Sequence, residues 1–162
     1  MELGPPPPPA PRELPKGFAF RTRFSGNIST IVGLAFFGVG SLLTLVFFFA
    51  NAWAALFPLF FALGGFGMLR HGLTTAGNTL RAFREGIAVA GRVHSAGLDH
   101  TQQVNGKYPY KLVYHFDVGS YSHEGKVVSF DSTLSQRRQG QPLWVLYVES
   151  APDKNTLYPP VR

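Results

Sequence analysis

Cysteine is absent from all 162 residues. That excludes a disulfide framework, a thiolate zinc site and a cysteine nucleophile. Charge is absent from one long stretch as well: Phe24 to Leu69 contains no Asp, Glu, Lys or Arg. A run of that length accommodates two bilayer crossings of about 20 residues each. Several chemical signatures are missing too. There is no GxGxxG or P-loop, so nucleotide phosphate binding has no support. There is no GxSxG, so Ser129, Ser132 and Ser135 lack a nucleophile-elbow context. His94, His100, His115 and His123 have no HxxxH-type spacing, and neither a metal nor a cofactor is expected.

What is present divides the chain unevenly. The apolar fraction of 45% is concentrated in the charge-free run, and the rest is polar. The apolar run begins after more than twenty residues, far outlasts an h-region of about 7–15 residues and lacks an A-x-A-like exit. It is read as an anchor, not as a cleaved signal. The net charge of +6 is assigned to lipid-facing positive charge at helix ends, in preference to nucleic-acid binding.

Residues 1–27 form a proline-rich, basic tail. Five consecutive prolines in "MELGPPPPPAPRELPKG" favour polyproline II, which has no internal hydrogen bonds and builds no core. Such a tail is either a solvated tether or a ligand for an SH3-like groove. A transmembrane helical hairpin follows over 28–72, with spans at 28–50 and about 53–72. Only Asn51 and Ala52 separate them, so the spans are antiparallel. Trp53 suits the interfacial tip, and Pro58 falls in the first turns of the second helix, where its missing N–H costs little. Gly33, Gly38, Gly40 and Ser41 on one span, and Ala62, Gly64, Gly65 and Gly67 on the other, permit close approach. Neither span has an ionisable residue in its interior, which counts against an ion or proton pathway. Arg12, Lys16, Arg21 and Arg23 precede the first span, and Arg70, Arg81 and Arg84 follow the second. The positive-inside rule then puts both termini in the cytoplasm.

Residues 73–85 read as a linker or interfacial helix, with Leu80 and Phe83 three apart and Gly86 as a stop. Residues 86–162 read as a cytoplasmic β-domain. "GIAVAGRVHSAG" is followed by a polar loop with an Asn105-Gly106 turn signal. In "YPYKLVYHFDV", Tyr108, Tyr110, Leu112, Tyr114, Phe116 and Val118 alternate with Pro109, Lys111, Val113, His115 and Asp117, which predicts a half-buried strand. Gly119-Ser120 signals a hairpin into "YSHEGKVVSF". "DSTLSQRRQGQ" is a polar loop, and "PLWVLYV" is apolar on both faces, as a doubly covered strand would be. A short edge segment ends at Pro159 and Pro160. The expected fold is an α+β membrane protein: a two-helix transmembrane hairpin, then a small, mainly antiparallel β-barrel or rolled sheet of about five strands.

The hairpin, "GRV" at Gly91–Val93, "YPYKLVYHF", "SYSHEGK" and the closing "GQPLWVLYVESAPDKNTLYP" together resemble the bacterial membrane proteins grouped as domain-of-unknown-function family 3592. The likeness covers Ile87 to Pro159. It departs at Val148, where the family often has Asp or Asn. The resemblance implies an inner-membrane location and this architecture, and it supplies no catalytic residues.

One candidate site lies in the opening hairpin. If Gly119-Ser120 is a two-residue turn, His115 falls opposite Glu124 and Asp117 opposite Ser122, with Lys111 on the same face. This is either an acid–base cluster or the exposed polar side of a strand, and the latter is preferred. Arg137 and Arg138, with Arg70, Arg81 and Arg84, are candidates for contact with lipid head groups. The preferred function is therefore a non-enzymatic interaction or accessory module, whose partners are membrane lipids and an unidentified protein or a second copy of the chain. The alternatives are a membrane-linked hydrolase or lipid-modifying enzyme using His115, Asp117 and Glu124, and an oligomeric transporter or channel subunit.

Overall fold

A computed structural model describes residues 3–101, 103 and 106–161. The chain divides into two compact units, Pro15–Asn78 and a second comprising Met1–Leu14 with Thr79–Arg162.

The first unit is the helical hairpin. Short helical turns at Phe18–Phe20 and Arg21–Ser25 lead into α1, Ile28–Ala50. Asn27 starts α1 in two ways. Its Oδ1 accepts from the Thr30 N–H at 3.2 Å, filling an orphan donor of the first turn. Its Nδ2 donates to the Gly72 carbonyl at 2.7 Å, tying the start of α1 to the returning helix. At about 1.5 Å per residue, the 23 residues of α1 span about 35 Å, enough for a hydrocarbon core of about 30 Å. α2 runs over Leu56–Glu85. It starts three residues later than the expected Trp53, because residues 52–55 form the turn. Nor does it stop at Gly72: the segment expected as a separate linker or interfacial helix continues α2 to Glu85.

The helices touch along small residues at heptad spacing. A Cβ on Gly40 would lie 2.6 Å from the Ala62 backbone nitrogen, and one on Gly33 or Gly65 would strike the backbone of the facing helix. The buried positions Ala55, Ala62 and Ala76 and the glycines Gly65 and Gly72 fall seven or fourteen apart, as a left-handed seam requires. Gly38, Gly64 and Gly67, expected to share this contact, have nothing within 4 Å of where a Cβ would be, and Ser41 is exposed. They lie off the heptad stripe. Between the tip and Arg70 the remaining surface is largely apolar and bare: Leu42, Phe49, Phe57 and Phe60 are exposed, and Trp53 at the tip is 82% exposed. Both helices are long and apolar enough to cross a membrane. Exposed apolar area on this scale marks a surface that meets lipid or another apolar surface.

The second unit is a five-stranded antiparallel sheet: β1 (Ile87–Leu98), β2 (Tyr110–Val118), β3 (Tyr121–Ser129), β4 (Pro142–Val148) and β5 (Ala151–Tyr158). The order is β3-β2-β1-β4-β5, and the outer strands β3 and β5 approach each other, so the sheet is nearly closed. Val93, Leu112, Tyr114, Phe116, Leu143, Val145, Tyr147 and Leu157 fill the interior. The even-numbered residues of β2 supply its centre, as the alternation predicts. Tyr114 is fully buried and donates its Oη to Asn155 Oδ1 at 2.7 Å, so its polar tip is satisfied inside the apolar core. Burial raises the Tyr114 phenol pKa. In β4 the successive residues Val145 and Leu146 are both fully buried although they point to opposite faces, which shows the double coverage that "PLWVLYV" predicts.

The expected polar loop after β3 contains more order than its composition suggests. Asp131 caps a 3₁₀ turn, Ser132–Gln136, by accepting from the Thr133 N–H at 3.0 Å, and Leu134 drops from that turn into the core. The turn after β4 is Glu149-Ser150, with an irregularity in register between Tyr147 and Val148. The expected Asn105-Gly106 turn falls partly outside the described residues, at Asn105; Gly106 has the positive φ of 75° that a turn glycine tolerates.

Candidate functional site

The hairpin of β2 and β3 has the register set out above. Gly119 turns with φ 61°, Val118 pairs with Tyr121, Asp117 with Ser122 and His115 with Glu124. His115 Nε2 and Glu124 Oε2 are 3.3 Å apart, and the His94 ring of β1 stacks on His115 at 4.5 Å between centroids. His94 reaches this position because β1 carries an irregularity between Val93 and Ser95. The result is a row, His94, His115, Glu124, across three strands on the outer face. The side chains of His115 and Glu124 are 43% and 61% exposed, so water screens their interaction. Asp117 is exposed two residues along, and Lys111 is also exposed. His123 lies on the inner face, stacked on Phe116 at 5.6 Å, and His100 packs beside Tyr108. Among the described residues no three His, Asp or Glu side chains are grouped to hold a metal ion.

A second constellation gives Arg12, expected as a flanking charge, and Trp144 a role that the sequence does not announce. The proline-rich segment, expected as a solvated tether or a groove ligand, is seated on the β-domain of its own chain. The half-buried indole of Trp144 in β4 donates Nε1–H to the Gly4 carbonyl at 2.9 Å. Eight residues on, Arg12 is 7% exposed. Its Nη1 donates to the carbonyls of Gly86 at 2.7 Å and Phe83 at 3.2 Å, and its backbone N–H donates to the Arg84 carbonyl at 2.8 Å. Those carbonyls lie at the C-terminal end of α2, where orphan acceptors and the helix dipole favour a cation. Arg12 Nε also donates back to the Pro8 carbonyl at 2.7 Å, fixing the end of the proline run. Burial lowers the Arg12 pKa, and the nearby Tyr158 phenol opposes that shift. Trp144 is the cross-strand partner of Tyr158, and the Tyr158 ring lies 6.1 Å from that of Phe83. The segment is therefore held at two polar anchors, on a domain where Trp144, Tyr158 and Phe83 neighbour one another. A lone arginine shortly after five prolines is the signal that would have found it.

The candidate head-group arginines are dispersed. Arg70 is exposed on α2 within the hairpin unit. Arg81 is paired with Glu85 at 3.3 Å, and Arg84 is exposed in the last turn of α2. Arg137 and Arg138 are exposed on a turn pinned to β1, where the Gly140 N–H donates to the Val93 carbonyl at 2.8 Å. Comparison with family models, with curated proteins and with solved structures finds no match to this chain.

Proposed function

We propose that this is a membrane-anchored, non-enzymatic interaction module: the helical hairpin sits in a bilayer and the β-domain docks a protein partner. The observation that carries the reading is the seat on the β-domain for an extended peptide, built from Trp144, Tyr158, Phe83 and the end of α2. Recognition of extended segments through backbone carbonyls and aromatic side chains is a property of docking modules. The polar row His94–His115–Glu124 supports the same side of the choice, since it stands on an exposed sheet face and not in a cleft that could exclude water. The near approach of β3 and β5 favours docking on a face over strand addition at an edge.

The membrane of choice is the bacterial inner membrane, following the resemblance to domain-of-unknown-function family 3592. Lys16, Arg21, Arg23 and Arg70 flank the end of the hairpin marked by the Asn27–Gly72 bond, while the tip is uncharged. That asymmetry supports cytoplasmic termini. Arg84, Arg137 and Arg138 are exposed and are the cations we assign to phosphate head groups.

Photo-crosslinking in native membranes tests the docking role. A photoreactive side chain placed in turn at Asp117, Lys126 and Tyr158 should give a discrete intermolecular protein adduct from at least one face. Absence of adducts from all three positions, together with a hydrolytic turnover that His115→Ala abolishes, would overturn it in favour of an enzyme.

A further inference from the structure

A proline run offers a receptor no N–H groups, only carbonyl acceptors and ring faces, so its receptor must bring donors and flat aromatic surface. The β-domain brings both. Trp144 Nε1–H is aimed at a main-chain carbonyl, Tyr158 and Phe83 are neighbouring aromatic rings, and the C-terminus of α2 provides a carbonyl socket that a guanidinium fills.

We propose that Gly4–Arg12 is an internal ligand occupying a polyproline groove, and that the groove, once vacated, takes a proline-rich segment of a partner protein carrying an arginine after its proline run. This rests on the docking role argued above and adds the chemistry of the partner and the control of access. The seat is strong at its ends and weak between them: Pro5, Pro6, Pro8 and Pro9 are exposed, whereas Arg12 is buried. A segment held mainly at two points exchanges without unfolding the domain beneath it. Because the internal ligand is tethered, it competes at an effective concentration in the millimolar range. A free peptide of similar intrinsic affinity is therefore excluded until the tail is released.

The test uses the full chain in detergent micelles and a fluorescently labelled peptide of sequence GPPPPPAPRE, read by fluorescence anisotropy. A tail variant of unchanged length, with Pro5–Pro9 replaced by serine and Arg12→Ser, should bind this peptide at least tenfold more tightly than the wild-type chain. Adding Trp144→Phe to that variant, or replacing the arginine of the peptide by serine, should each weaken binding at least fivefold. Equal binding by wild type and tail variant overturns the proposal, as does binding indifferent to both of those changes. Should circular dichroism show the tail variant unfolded, the single change Arg12→Gln keeps the proline run and should give at least a threefold gain; a folded Arg12→Gln chain without that gain overturns it equally. Crosslinks to a partner combined with no peptide binding would remove the internal ligand and leave the docking role standing.

Discussion

Gly125 sits opposite Tyr114 in the β2–β3 ladder, and its missing side chain makes room for the Tyr114 ring. A Cβ built there would meet Cε2 and Cζ of that ring and the Oδ1 of Asn155, all far inside van der Waals contact. Carbon atoms rest about 3.5–4.0 Å apart, so Gly125→Ala requires a displacement of more than about 1 Å. The ring has nowhere to go: it is fully buried, and its Oη is held by Asn155, whose own Nδ2 donates to the Pro152 carbonyl at 2.9 Å. Overpacking of this kind costs about 1–3 kcal/mol. For a domain of this size, about 1 kcal/mol moves the melting temperature by about 4–8 °C, so a fall of about 10 °C is expected. Thermal melts of the full chain in micelles, followed by near-ultraviolet circular dichroism of the buried tyrosines, measure it. The Tyr114→Leu background removes the ring, and there the same alanine should cost at least about 1 kcal/mol less, the coupling expected of touching residues. A Gly125→Ala chain melting within 2 °C of wild type, or strictly additive effects in the cycle, would refute this account of how the barrel closes.

Two further outcomes follow from the same structure, and a third tests the proposed topology. Gly40→Val should destabilise the hairpin by about 1–3 kcal/mol, because a Cβ there lies 2.6 Å from the facing backbone, while Gly38→Val, with open space around it, should be silent; equal thermal aggregation of the two variants in detergent would contradict the heptad seam. Asp99 Oδ1 accepts from the Thr101 hydroxyl and N–H, and those bonds hold its carboxyl below the usual carboxylate range. Its contribution to stability is therefore present above the ordinary aspartate pKa and lost as pH falls through the lowered one. Carboxyl-carbon NMR should place its midpoint below the ordinary aspartate value, and Thr101→Ala should raise it; a midpoint unmoved by Thr101→Ala would dismiss the turn as its cause. The chain has no cysteine, so Ser132→Cys gives a single exposed thiol. An impermeant maleimide should fail to label it in intact cells and succeed after lysis; efficient labelling from outside would invert the topology.

Much of this architecture was legible because it rests on local patterns. The alternation of Tyr110 to Val118 encodes which residues face inward, and Gly119-Ser120 sets the register that brings His115 to Glu124. The ends of α1 were legible too, since Asn27 and Asn51 bracket an uninterrupted apolar run. Features that depend on distant partners were not. Whether Gly38 or Gly40 meets the second helix depends on rotation about the helix axis, which a list of small residues leaves open. Leu134 looked like one apolar residue in a polar loop, and only the closed sheet gives it a cavity to fill. The Trp144–Gly4 contact joins residues 140 positions apart, and no local period reports it. His94 was counted among scattered histidines, and it joins His115 only through an irregularity in β1 that its neighbours do not announce.

The near-closure of the sheet bears on how densely this chain can be packed. Anchored proteins diffuse in two dimensions, and a domain held at one height above a bilayer meets its copies far more often than the same number of molecules would in bulk. Under those conditions a bare strand edge becomes a polymerisation template. Here Gly125 of β3 and Asn155 of β5 lie against the same Tyr114 ring, so each edge is shielded by the other. With the hairpin in a bilayer, as proposed, a glycine that lets a tyrosine bridge two strands would also help to keep neighbouring domains apart.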